Sequence, residues 1–150
     1  MKKSPNLQKL EEVLRSSTLS AVGFMGSDNR SLTEIVDADL AELARLDYTT
    51  GQLAEKMQQI TDLAAKALGN WAHIDDTHQA KVAEAKGRIP CPWPHPAYFA
   101  KRVTTLKDTE TGDEIKWSDL NIHLIKEHSF FEGKGSPFRI EPRQLIQILF

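Results

Sequence analysis

The chain has 150 residues, 40% of them hydrophobic and 27% charged, with a formal net charge of -2 and a pI near 6.2. That makeup suits one compact domain with a buried core, since a chain of this length hides roughly 70% of its extended surface on folding. It excludes the strongly basic composition of a sequence-blind nucleic-acid binder, an uninterrupted apolar span and, because Cys91 is the lone cysteine, an internal disulfide.

The opening "MKKSPNLQKL" passes from two lysines straight into a helix start, without the apolar run of a signal peptide. The expected location is therefore cytoplasmic, with no membrane association. Ser4 and Pro5 form an N-cap and first-turn pair, and Leu7, Leu10, Val13 and Leu14 share one helical face, so a short amphipathic helix is expected to end near Ser16. "AVGFMGSDNR" breaks the pattern with two glycines and a turn-prone Ser-Asp-Asn. Ser31 and Glu34 then make a capping box for a second helix whose stripe is Leu32, Ile35, Val36, Leu40 and Leu43. After "DYTT", a third helix carries Leu53, Met57, Ile60, Leu63 and Leu68 on one side, and Gly69 stops it. The two longer helices are expected to form an antiparallel hairpin. A DNA-reading use of that hairpin is disfavoured, because Lys56 is the only basic residue early in its second helix.

Residues 70–86, "NWAHIDDTHQAKVAEAK", carry two signals. Ala80 and Val82 alternate as a strand does, while Asp76 and Gly87 bracket a short Ala/Lys/Glu-rich helix, and the helix is the expectation taken here. "RVTTLKD" and "DEIKW", joined by "TETG", read as a β-hairpin. Ser118 caps the helix "DLNIHLIKEH", "FFEGKGSPF" is a loop by composition, and Pro142 opens a last helix. The expected fold is α+β, a single domain over 1–150. A helical hairpin region, about 4–69, packs with a second part, about 70–150, that supplies the β-hairpin and two or three helices.

The charge is unevenly placed. Residues 1–85 hold 9 Lys+Arg against 13 Asp+Glu, residues 86–150 hold 10 against 8, and four of the five histidines follow Thr77. The main chemical constellation lies in this second half. Cys91 and His95 make a C-x3-H pair within "IPCPWPHP", and His123 and His128 make an H-x4-H pair on the helix after the hairpin. A thiolate and three neutral imidazoles complete a tetrahedral zinc shell, and the prolines at 90, 92, 94 and 96 lower the ordering cost of the first pair. Five residues along a helix turn through about 500°, so His123 and His128 leave it about 140° apart unless the helix breaks before His128. Asp119 and Glu127 flank His123 at i-4 and i+4, either as salt-bridge partners or to orient its second nitrogen.

Two other chemistries are open to the same half. Cys91 as a nucleophile would need a histidine base oriented by Asp119 and a lowered thiol pKa. In "EGKGSPFR", Gly133 and Gly135 flank Lys134 with Arg139 nearby, a set able to bind an anion or a partner, although the full phosphate-loop spacing is absent. With Lys126, Lys116, Arg102 and Arg88, and with Phe130, Phe131 and Phe138 between them, this segment also sketches a basic and aromatic strip of the kind single-stranded nucleic-acid binders use.

The reading taken is a small binding or regulatory module, not an enzyme, organised by one structural zinc through Cys91, His95, His123 and His128. Its expected partner is another protein or, through the Ala/Leu-rich helix 51–68, a second copy of the chain. The alternatives are a metal- or cysteine-dependent enzyme centred on Cys91 and the later histidines, and a weak nucleic-acid binder using residues 126–139.

Overall fold

The computed structural model describes residues 4–17 and 22–150; Lys2, Lys3 and Ala21, which entered the readings of the opening segment and of the first turn, lie outside them. Helix α1 spans Pro5–Arg15, and Ser4 caps it by accepting the Leu7 amide at 3.1 Å. Helix α2 spans Leu32–Arg45 with the Ser31–Glu34 capping box closed in both directions. Helix α3 spans Thr50–Ala65, where Thr49 and Gln52 form a second capping box. Each cap satisfies backbone donors that the first helical turn leaves free, which is why these starts are fixed locally.

Four antiparallel strands follow in the order β1-β2-β3-β4: β1 Ala72–Asp75, β2 His78–Pro90, β3 Tyr98–Asp108 and β4 Glu114–Ser118. Residues 70–86 are therefore strand rather than helix. Asp75 turns the chain by accepting the Thr77 amide at 2.9 Å, and β2 pairs with β3 from His78↔Asp108 onward. Ala80 and Val82 face the helical layer, but residues 83–88 are exposed, so the alternation that marks a strand stops where cover stops. Pairing with β3 overrides the helix preference of Ala, Lys and Glu. The ladder shifts register between Ala85 and Arg88, where Gly87 has φ 95°.

The β3–β4 hairpin is as expected, with the Asp108 carboxylate accepting the amides of Glu110 and Thr111 and Gly112 in the left-handed region. Helix α4, Asp119–His128, begins at once, capped by Ser118 and Asn121, and α5, Pro142–Leu149, closes the chain. Among the described residues, five helices with one antiparallel sheet make the fold α+β.

Two apolar clusters hold these elements. The first joins Leu53, Met57 and Ile60 of α3 to Val82, Leu106, Trp117 and Leu145. Of the expected α3 stripe, Leu63 is half-exposed and Leu68 lies beyond the helix end at 90% exposure, their places being taken by Ala54, Thr61 and Ala64. Thr61 is there for a polar reason: its hydroxyl accepts the buried Trp117 indole N–H at 2.9 Å and meets Thr104 at 2.8 Å. An unmet buried donor would cost about 1–3 kcal/mol. The second cluster joins Leu14, Phe24, Met25, Leu32 and Ile35 to Cys91, Leu124 and Phe130. Helix α4 enters both, with Ile122 and Ile125 in the first and Leu120 and Leu124 in the second. No helix among the described residues is long and apolar enough to cross a membrane.

Candidate metal centre

Cys91–Ala97 is the tip of the β2–β3 arm, where the Cys91 amide donates to the Ala97 carbonyl at 2.9 Å and so extends the ladder by one bond. This tip lies against the C-terminal end of α4. His95 Nε2 stands 3.1 Å from His128 Nε2 and 3.3 Å from His123 Nε2, and Cys91 Sγ stands 3.5 Å from His128 Nε2. The four ligand atoms all lie within 4.8 Å of one another. The hairpin tip thus supplies two of them and the helix the other two.

The helix does not break to achieve this. Ser129 still donates to the Ile125 carbonyl, and only Ser129 itself turns left-handed, at φ 52°. The His123 and His128 rings come together through their side chains, with centroids 5.2 Å apart and planes at 77°. Aromatic neighbours set the ring planes: Trp93 stacks on His128 at 4.1 Å and 11°, and Phe99 lies 4.6 Å from His123. Trp93 in turn leans on Phe130 at 5.5 Å, which anchors the tip in the second core.

Proton counting shows how unusual the cluster is. An imidazole nitrogen either donates or accepts and never does both at once. Along the path Cys91, His128, His95, His123, both inner nitrogens have two close neighbours, so hydrogen atoms alone leave one lone pair and one N–H each shared two ways. A single cation at the centre uses all four lone pairs. Zinc bonds of about 2.05 Å to nitrogen and about 2.3 Å to sulfur, at tetrahedral angles, need N···N separations of about 3.3 Å and S···N separations of about 3.6 Å. The three close contacts, at 3.1, 3.3 and 3.5 Å, are near those values.

Protonation favours the same use. Burial, then the neighbouring histidines, lowers the His128 pKa to about 4, and burial followed by His95 lowers that of His123, so both offer neutral lone pairs at neutral pH. Burial pushes the Cys91 thiol up, against a hydrogen bond from the Trp93 amide, which is opposite to the activation a free nucleophile needs. Asp119 is not an orienter of His123: its carboxylate accepts Arg102 Nε at 3.1 Å. Glu127 borders a recess shared with His95, His123 and His128, an entry path on the solvent side.

The second candidate group is arranged differently. The loop 132–139 lies on the loop 24–28, and Gly133 and Gly135 are where the two backbones touch. A β-carbon on Gly133 would collide with the Met25 backbone, and one on Gly26, at φ 55°, with Gly135 and Ser136. The Gly133 amide donates to the Phe24 carbonyl at 2.8 Å and the Lys134 amide to Asp28 Oδ2 at 3.0 Å. Arg139 is buried and holds Asp39 at 2.5 and 2.9 Å, Glu141 at 3.1 Å and the Glu132 carbonyl at 2.8 Å. These amides and this guanidinium are turned towards internal oxygens. The aromatic strip is likewise drawn inward, because Phe130 and Phe131 are fully buried, in the second and first cores respectively.

Glu132 carries no sequence signal and is the one carboxyl of this loop. At 3% exposure and φ 66° it accepts Ser136 Oγ at 2.6 Å and Asn121 Nδ2 at 2.7 Å. It borders an apolar cavity lined by Phe24, Ile89, Val103, Leu120 and Phe138. Burial raises its pKa from 4.5 to about 7 despite the hydrogen bonds from Ser136 and Asn121. A carboxyl whose folded pKa is raised binds its proton more tightly in the folded state, so stability falls as pH rises from about 4.5 through about 7, by about 3 kcal/mol in all. Glu132→Gln, which cannot ionise, is expected to remove that slope and to be the more stable protein at pH 8. Urea midpoints of both proteins across this pH range check it, and parallel curves would overturn it.

Comparison of the chain with protein-family models, curated proteins and solved structures finds no match.

Proposed function

We propose that the chain is a small interaction module stapled by one structural zinc ion, held by Cys91, His95, His123 and His128. The observation that carries this reading is the convergence of one sulfur and three Nε2 atoms from a hairpin tip and a helix end, all within 4.8 Å of one another and with three of the separations near those of a tetrahedral ion. The spacings C-x3-H and H-x4-H are within the range of structural zinc sites. Four protein ligands fill the coordination shell and leave no position for a reacting water, so the site supports architecture rather than hydrolysis. The staple ties the second core together at the point where the β2–β3 arm meets α4, and in this reading it presents the proline-rich tip and the 119–139 segment to a protein partner.

Elemental analysis and native mass spectrometry of tag-free protein purified without chelator are expected to give one zinc per chain, and none in Cys91→Ser or His128→Ala. Metal-free wild-type protein that also fails to take up added zinc would overturn the reading.

A further inference from the structure

The sheet has a second face. Ala80, Val82, Thr104, Leu106 and Trp117 point into the core, so the period of two puts Lys81, Thr105, Lys107 and Lys116 on the opposite side. The register sets Lys81 beside Thr105 and Thr105 beside Lys116, which makes a row across three strands. Two aromatic rings flank the row. Lys81 Nζ lies 4.7 Å and Lys107 Nζ 5.8 Å from the Trp71 ring, and Lys116 Nζ lies 5.3 Å from the Phe138 ring.

We propose that this face is a binding site for single-stranded nucleic acid, with Lys81, Lys107 and Lys116 taking phosphates and Trp71 and Phe138 stacking bases.

Charge complementarity supports that occupant. Strands β2, β3 and β4 carry seven basic residues against three acidic ones, while α3, which packs on the core face of the sheet, and α2 together carry six acidic against two basic. The near-neutral total therefore hides a molecule with a positive sheet and a negative helical layer, and such a polarised field steers a polyanion to one side. Among the described residues, none of the three lysines has a carboxylate within ion-pair distance, although Glu114 lies across from Lys107 in the ladder. An acidic peptide would use the lysines but not the rings. Lysines interleaved with aromatic planes on an open sheet suit a chain that alternates phosphates with flat bases. The site is separate from the metal cluster and does not depend on it.

The test is fluorescence anisotropy with a labelled oligothymidylate and an oligouridylate of about 15 nucleotides, titrated with the full chain at salt concentrations from about 20 to about 200 mM. Three phosphate contacts predict a log–log salt slope of about -2, and Lys81→Ala and Lys116→Ala are each expected to reduce it by about 0.7. Trp71→Ala is expected to weaken binding about fivefold or more while leaving the slope alone. Lys56→Ala, on α3, serves as the control and changes neither. All four positions are partly or fully exposed, and unchanged circular dichroism verifies that each variant folds. No binding at the lowest salt, a slope that ignores both lysine substitutions, or tighter capture of polyglutamate or phosphatidylserine vesicles would each overturn the proposal.

Discussion

Removing the proposed zinc is expected to lower the thermal midpoint by about 8–16 °C. A ligand present at about 1,000 times its Kd stabilises the folded state by about 4 kcal/mol, and in a domain of this size each kcal/mol is worth about 2–4 °C. The loss should be centred on the second core, because Cys91, Trp93 and Phe130 there are coupled to the ligand set. The first core, built around Trp117, has no ligand in it, so the apo protein should remain folded with a loosened hairpin tip. Calorimetry before and after treatment with a zinc chelator measures the shift. Trp93, stacked on His128, is an internal reporter whose fluorescence should change with metal loss. Cys91→Ser should melt where chelated wild-type protein melts and should not respond to chelator. A midpoint that stays put while elemental analysis shows the metal gone would defeat the staple.

The second large effect is expected from Arg139→Ala. Arg139 and Asp39 are 8% and 7% exposed, and burial is offset because the guanidinium grips the carboxylate through two nitrogens while also reaching Glu141 and a backbone carbonyl. Its pKa is accordingly raised, against burial, by the bonds to Asp39 and Glu141. Truncation takes both hydrogen bonds from the buried Asp39 and leaves it the longer-range attraction of Arg30, at a cost of about 3 kcal/mol. Urea denaturation reads this directly. The double variant Arg139→Met with Asp39→Leu should recover much of the loss, since two packed apolar side chains leave no stranded charge. A single variant that loses less than about 1 kcal/mol would show that Arg139 is free to bind something else.

Local features were legible in the sequence. The caps at Ser4, Ser31 and Ser118 depend on atoms three residues away, and all three start the helices they predict. The Cys–His cluster was legible as two pairs, because Cys91 and His95, and His123 and His128, each meet over a short stretch of chain. Joining the pairs depends on β3 and β4 returning the chain, and the 140° between His123 and His128 is bridged by their side chains. The strand β2 was obscured because its outer half has no cover to impose alternation. The packing of the loop 132–139 was hidden for a related reason: its glycines read locally as an anion cradle, and the segment they pack against, Phe24–Asp28, is over a hundred residues away. Nothing local marks Glu132 or the lysine row, since one depends on burial and the other on register.

The backbone seam between 24–28 and 132–136 has a consequence for how the molecule forms. Lys134 meets Asp28 across a sequence separation of 106 residues, so the contact cannot nucleate and must wait until the sheet and α4 have brought its halves close. The seam should therefore close last during folding and be the first place where the native state opens. The amides of Gly133 and Lys134 would then exchange with solvent faster than those of β3, and removal of the first thirty residues would leave the later loop with no surface to settle on.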